Sequence, residues 1–255
     1  MGCKCTYFFD KNKKSKNILI EKIIRHSATF KTRYEKVQRQ RCDIINKCVI
    51  FAICFIHLNN DLIMELLLDL KKRYTYADYL NWADDKVREL IDGFIKMMSP
   101  AAGTIHQEVS IILSANLYNF IKKNRGACKV FHAPFDVRLP QNGEKADHQI
   151  YNVVQPDICV VCDLSKIDER GCIGAPDLVV EIQSFSTAKY DLNEKFDLYE
   201  TSGVREYWVV YPREKGVEVF LMQPDGKYDK GTRYEMGKVP VNVLEGCEIE
   251  LSEIF

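Results

Sequence analysis

In the run Leu178-Val179-Val180-Glu181-Ile182-Gln183 a carboxylate stands in the middle of an otherwise apolar segment. Read as a strand, its period-2 geometry puts Glu181 and Gln183 on one face with Val179, and Leu178, Val180 and Ile182 on the other. A charge embedded in so apolar a strand requires a partner or a cation. Upstream, Pro156-Asp157-Ile158-Cys159-Val160-Val161 opens a second apolar strand with a carboxylate near its head, where it can project from the sheet end. Downstream, Leu192, Phe196 and Tyr199 form an i, i+4, i+7 stripe, and at 100° per residue Lys195 falls within about 60° of Leu192. Lys195 therefore faces inward, unlike an ordinary solvated lysine.

Two carboxylates, an amide and an inward lysine are suited to holding Mg²⁺ or Mn²⁺ through hard oxygen ligands while an ammonium stabilises charge developing on a phosphate. The same residues also make a buried Glu181–Lys195 ion pair that locks helix to sheet. Residue types and faces alone do not choose between these two arrangements. A third use, Asp157 and Glu181 as acid and base on a sugar, leaves the inward lysine without a role.

The elements that must position these groups follow from the punctuation. Thr75 is placed to cap a short helix over Tyr76 to Leu80, and a turn is expected at Ala83-Asp84-Asp85. Val87 to Ile91 and Phe94 to Met98 read as a hairpin around Asp92-Gly93. After the loop from Ser99 to Gly103, the spacing of Val109, Ile112, Leu113, Leu117, Phe120 and Ile121 predicts an amphipathic helix over His106 to Lys123. Strands are expected at Lys129 to Leu139, Pro156 to Cys162 and Leu178 to Ser184, and a helix over Asp191 to Ser202 closed by Gly203. Tyr207 to Tyr211 and Val217 to Met222 alternate as a hairpin, followed by turn-rich strands that finish at Phe255.

At 255 residues, with 46% hydrophobic and 28% charged side chains, the chain can bury one sizeable core. Its net charge of zero is unevenly spread. Residues 1–63 carry thirteen Lys and Arg against five Asp and Glu, and the other 192 carry 23 basic and 31 acidic groups, so +8 faces −8. A −8 domain has no long-range attraction for a polyanion, and any nucleic-acid contact must come from a local basic patch or a bound cation. Residues 1–63 are expected to be a basic, loosely packed extension, read either as an appendage that supplies the nucleic-acid affinity the acidic domain lacks or as upstream sequence before a functional beginning near Met64, the second being favoured because the domain pattern starts soon after Met64.

Cys48 to Leu58 is apolar for eleven residues, short of the roughly 20 that span a membrane. Met1-Gly2-Cys3-Lys4-Cys5-Thr6 fits the loose N-myristoylation pattern and carries little weight. The ten cysteines form no regular framework, so reduced thiols in a cytoplasm are expected. Cys159 and Cys162 have Cys-x-x-Cys spacing, but an offset of three on a strand sends them to opposite faces, so core packing is expected there rather than a metal site.

Several segments together resemble one family. They are Pro156-Asp157; Val180-Glu181-Ile182-Gln183-Ser184-Phe185-Ser186-Thr187; Asp191 to Tyr199 with its Lys195; and Gly203-Val204-Arg205-Glu206-Tyr207-Trp208. Leu80-Asn81-Trp82, Glu89 to Gly93, Met98-Ser99-Pro100, His106-Gln107 and Leu244-Glu245-Gly246 extend the match over nearly everything after Tyr74. This set resembles the Uma-two family of restriction endonucleases, within the PD-(D/E)XK nuclease superfamily. The departures, Phe185 where Pro is common and Tyr211 where Asp is common, touch loop shape more than chemistry.

The resemblance implies an α/β fold, a restriction-endonuclease-like mixed β-sheet flanked by helices, over residues 64–255. It implies Asp157 and Glu181 as metal-binding acids, with Gln183 where the superfamily usually has lysine and Lys195 as that lysine relocated to the next helix. Glu89 matches an upstream acid that would be a further metal ligand or a neighbour of one, and His106 a group for binding phosphate or relaying a proton. The implied activity is a Mg²⁺- or Mn²⁺-dependent endonuclease acting on DNA, without membrane association, cytoplasmic, with a homodimer left open. A non-catalytic nucleic-acid or protein binding module on the same fold is the alternative.

Overall fold

A computed structural model of the chain describes residues 68–82, 86–98, 103–141, 143–184 and 190–255. The basic extension 1–63, the turn at 83–85, the Ser99-Pro100 loop and Phe185 lie outside the described residues, as does the side chain of Leu192.

The site is carried by a six-stranded mixed sheet. Its order is β12 (Thr232–Tyr234), β11 (Gly216–Leu221), β10 (Glu206–Tyr211), β9 (Leu178–Ile182), β6 (Ile158–Val161), β3 (Lys129–His132). Strand β9 runs parallel to β10 and antiparallel to β6. All five of its residues are buried, as expected for a central strand covered on both faces.

The faces separate as period 2 requires. Ile158, Val160, Leu178, Val180, Ile182, Trp208 and Val210 pack against Val109, Leu113, Leu117 and Ile121 of helix α2 (Thr104–Lys123). Cys159, Val161, Val179, Tyr207 and Val209 face the other way, toward Leu198 and Tyr199 of helix α3 (Tyr190–Ser202). Helix α3 ends at Gly203, whose φ of +84° suits the left-handed stop that glycine adopts without strain. A hairpin of β13 (Lys238–Val241) and β14 (Cys247–Glu250) closes the α2 side, with Val239, Val241 and Ile249 in the same core. The buried Glu206 carboxylate ties it down, accepting from Trp208 Nε1 at 2.8 Å, Val243 N at 2.8 Å and Asn242 Nδ2 at 3.2 Å.

A second six-stranded sheet brings in the upstream segment. It runs β2 (Phe94–Met97), β1 (Arg88–Ile91), β5 (Val153–Val154), β4 (Val137–Arg138), β8 (Gly171–Ile173), β7 (Ile167–Asp168). The β1–β2 hairpin turns at Asp92 and Gly93, both with positive φ (52° and 81°), the conformation a two-residue type I′ turn demands. Helix α1 (Tyr76–Tyr79) has Thr75 as N-cap, in a reciprocal capping box with Asp78.

Two sequence expectations are corrected. Lys129 to Leu139 is not one strand: β3 joins the first sheet and β4 the second, and Pro134 between them has no N–H to continue a ladder. Nor are all the cysteines reduced, because Cys128 and Cys162 form a disulfide. Strand β6 stops at Val161, and its pairing of Lys129 with Val161 sets residues 128 and 162 opposite each other just beyond the ladder. Cys159, Cys172 and Cys247 are free and buried. Cys159 and Cys162 do take opposite faces, one packed with the α3 side and the other against the α2 side.

Candidate active site

Strand pairing brings the two strand acids together. In the β6–β9 ladder Ile158 lies opposite Val180, so one further step sets Asp157 opposite Glu181. Directly opposed side chains in an antiparallel pair share a face, with Cβ atoms roughly 4.5–5.5 Å apart. Asp157 is anchored at the sheet end by Ile182 N, which donates to its Oδ2 at 2.7 Å.

Glu89 arrives from the second sheet. The segment 153–161 belongs to both sheets, pairing through β5 with β1 and through β6 with β9. At the crossing, Gln155 N donates to Glu89 Oε1 at 2.9 Å. The Gln155 side chain reaches on to Asp136 Oδ1 at 2.8 Å and the Tyr79 hydroxyl at 3.2 Å.

Helix α3 completes the cluster. Lys195 Nζ donates to Glu89 Oε1 at 2.9 Å and to Glu181 Oε1 at 3.0 Å, with each of the three residues 8% exposed or less. One turn on, the Tyr199 hydroxyl donates to the same Glu181 oxygen at 2.7 Å. From α2, His106 Nε2 lies 3.1 Å from Asp157 Oδ2. Elements of two sheets and two helices therefore converge on three carboxylates, one ammonium, one imidazole and one phenol.

Burial pushes the Glu181 carboxyl up, to about 7; Lys195 opposes this and the neighbouring Asp157 and Glu89 charges add to it. Burial alone would lower the Lys195 ammonium, but Glu181 and Glu89 outweigh it and its pKa lies above the ordinary lysine value. These two directions compete, since protonating Glu181 would remove one of the two carboxylate charges that keep the lysine charged. With two carboxylate oxygens within 3.0 Å of Nζ, the charged lysine is the direction the geometry carries. Burial also holds the Tyr199 phenol well above its usual range, so it acts as a hydrogen-bond donor. The hydrogen bond to Asp157 holds His106 above the ordinary histidine value, against the opposing effect of burial.

Of the residues expected from sequence, Asp157, Glu181, Lys195, Glu89 and His106 are thus brought together. Gln183 lies one position past β9, its backbone N–H donating to Val210 O at 2.8 Å. Arg205, within the matched Gly203 to Trp208 segment, pairs with Asp177 at 3.0 Å. Tyr199, Gln155 and Asp136 were not read as site residues. Tyr199 carried a signal, since it stands four residues from Lys195 and so on the same helical face.

The donor chemistry fits a hard divalent cation. Hydrogen bonds among the described residues engage Oδ2 of Asp157 and Oε1 of Glu181, which leaves Oδ1 and Oε2 as the oxygens for a ligand. Among the described residues no three His, Cys, Asp or Glu side chains stand close enough to share one ion. A cation held by this pair would complete its shell with water, as Mg²⁺ commonly does. Glu89 stands instead against the lysine.

A mixed sheet bearing an acid at the head of one strand, a second acid on its neighbour and a lysine from the next helix defines a restriction-endonuclease-like α/β protein. The chain belongs to the Uma2 family, whose model, described as "Putative restriction endonuclease", matches residues 76–252. It is 26% identical over 154 residues to an uncharacterized protein of Synechocystis sp., a match covering 59% of this chain and 75% of that one. Among solved structures it is similar in fold to a protein of Anabaena variabilis described as a "putative nuclease belonging to DUF820". That similarity has a TM-score of 0.56 at 20% identity and covers 71% of this chain and 97% of that one. Among the described residues no helix is long and apolar enough to cross a membrane.

Proposed function

We propose that the domain is a divalent-metal-dependent endonuclease that hydrolyses phosphodiester bonds of DNA. The observation that carries the reading is Lys195, buried and charged between Glu89 and Glu181, beside an Asp157 that the strand register sets opposite Glu181.

In this reading Asp157 and Glu181 would hold Mg²⁺ or Mn²⁺. Such a cation supplies Lewis-acid charge at the phosphoryl group and a hydroxide nucleophile at neutral pH. Lys195, its ammonium fixed by Glu89, supplies the positive charge that stabilises negative charge developing on the phosphate. Gln183 orients water. His106 takes or returns a proton at Nε2, the nitrogen that meets Asp157. The acidic domain gains its affinity for a polyanion from the cation and from Lys195 rather than from a broad basic surface.

A second reading, a non-catalytic nucleic-acid or protein binding module on the same fold, is favoured by the satisfied Lys195–Glu181 pair and by a donor set of only two carboxylates. Calorimetric titration of the full chain with Mn²⁺ separates the two. The nuclease reading expects binding that Asp157→Asn and Glu181→Gln each weaken. No binding by a folded wild-type chain favours the module.

A further inference from the structure

Two buried tyrosines stand side by side between α3 and the sheet, with rings 5.2 Å apart. Both are 0% exposed and belong to the same core. Their hydroxyls differ. Tyr199 donates to Glu181 Oε1 at 2.7 Å, whereas the Tyr207 hydroxyl is buried without a hydrogen-bond partner among the described residues.

A carboxylate has two oxygens and about four lone-pair sites. Lys195 and Tyr199 both donate to Oε1 of Glu181, so the hydrogen bonds constrain the plane of the group and leave Oε2 without a hydrogen bond among the described residues. Groups that hold a ligating carboxylate in this way set its orientation, and losing them typically weakens metal binding by about 10–100-fold. The lysine alone cannot fix that plane, because its ammonium is shared with Glu89. A phenol does so without adding charge, leaving the site's negative charge for the cation.

We propose that Tyr199 is a positioning residue for the metal ligand Glu181: its hydroxyl locks Oε1 so that Oε2 is presented to a divalent cation. This rests on the nuclease reading of the site and adds to it a residue that touches neither substrate nor metal. The unpartnered Tyr207 hydroxyl supplies an internal comparison, since Tyr207→Phe removes one oxygen from the same core at the same depth.

The proposal is tested by calorimetric titration of the full chain with Mn²⁺, comparing wild type, Tyr199→Phe and Tyr207→Phe, with thermal unfolding of each in EDTA. The expected result is binding about tenfold weaker in Tyr199→Phe and within about twofold of wild type in Tyr207→Phe. Equal affinity in Tyr199→Phe and wild type overturns the proposal, as does an equal loss in both variants, which would make the effect one of core packing. A wild-type chain that binds no Mn²⁺ overturns the metal reading, and the proposal with it.

Discussion

Lys195 and Glu89 are 106 residues apart in the chain and 2.9 Å apart in the fold, and the lysine meets Glu181 from the same ammonium at 3.0 Å. One cation thus joins the two large sheets through a helix that follows the second strand acid. Removing it leaves two buried carboxylates uncompensated. Lys195→Met should therefore lower the unfolding free energy by about 3–5 kcal/mol. Adding Glu181→Gln should recover part of that loss, because the cost lies in uncompensated charge. Urea unfolding in EDTA measures both; a single variant as stable as wild type would show that the pair contributes nothing.

His106 reports on Asp157. The hydrogen bond to Asp157 holds the imidazole above the ordinary histidine value. A raised folded value means that protonation favours the fold. This contribution is fully present below the unfolded pKa and is lost as pH rises through the folded one. A divalent cation that takes up the Asp157 charge weakens the hold on the imidazolium. NMR titration of the His106 ring should give a midpoint above 6.5 in EDTA that falls with saturating Mg²⁺; coincident midpoints would contradict metal binding at Asp157.

The Glu206 carboxylate is an anchor of structure rather than chemistry. Its replacement by alanine leaves Trp208 Nε1, which is buried, and Val243 N, which is half-buried, without that acceptor. Glu206→Ala should cost about 2–3 kcal/mol in unfolding free energy. Mn²⁺ affinity measured where the variant is folded should stay that of wild type, since the group lies at the opposite end of its strand pair from Ile182, which binds Asp157.

The disulfide responds to reductant in a way that can be measured. Cys128 and Cys162 are separated by 34 residues, and closing a loop of that size stabilises by about 2–4 kcal/mol through the unfolded chain. Dithiothreitol should lower the unfolding free energy by that amount, and the Cys128→Ala variant should show no further response to reductant.

What the sequence made legible was local. Helical phase alone turned Lys195 inward, period 2 put Glu181 on the face away from Leu178, Val180 and Ile182, and Asp92-Gly93 announced its hairpin because both positions need positive φ. The second sheet stayed hidden because β4, β5 and β7 have two residues each, too few for any alternation to register. The contact of Glu89 with Lys195 depends on one segment crossing between sheets at Gln155, which no spacing within either element encodes. The Cys128–Cys162 pairing follows from strand register, and register is a property of two strands together.

Metal-dependent phosphodiester hydrolysis at Asp157, Glu181 and Lys195 is read out most directly as DNA cleavage. Supercoiled and single-stranded DNA are incubated with the full chain in Mg²⁺, Mn²⁺ or EDTA, beside Asp157→Asn, Glu181→Gln and Lys195→Met variants shown to be folded. Cleavage is expected with either cation and not in EDTA, with a loss of at least about a hundredfold in each variant. Cleavage that survives all three substitutions, or that proceeds equally in EDTA, would contradict a metal-dependent nuclease site at these residues.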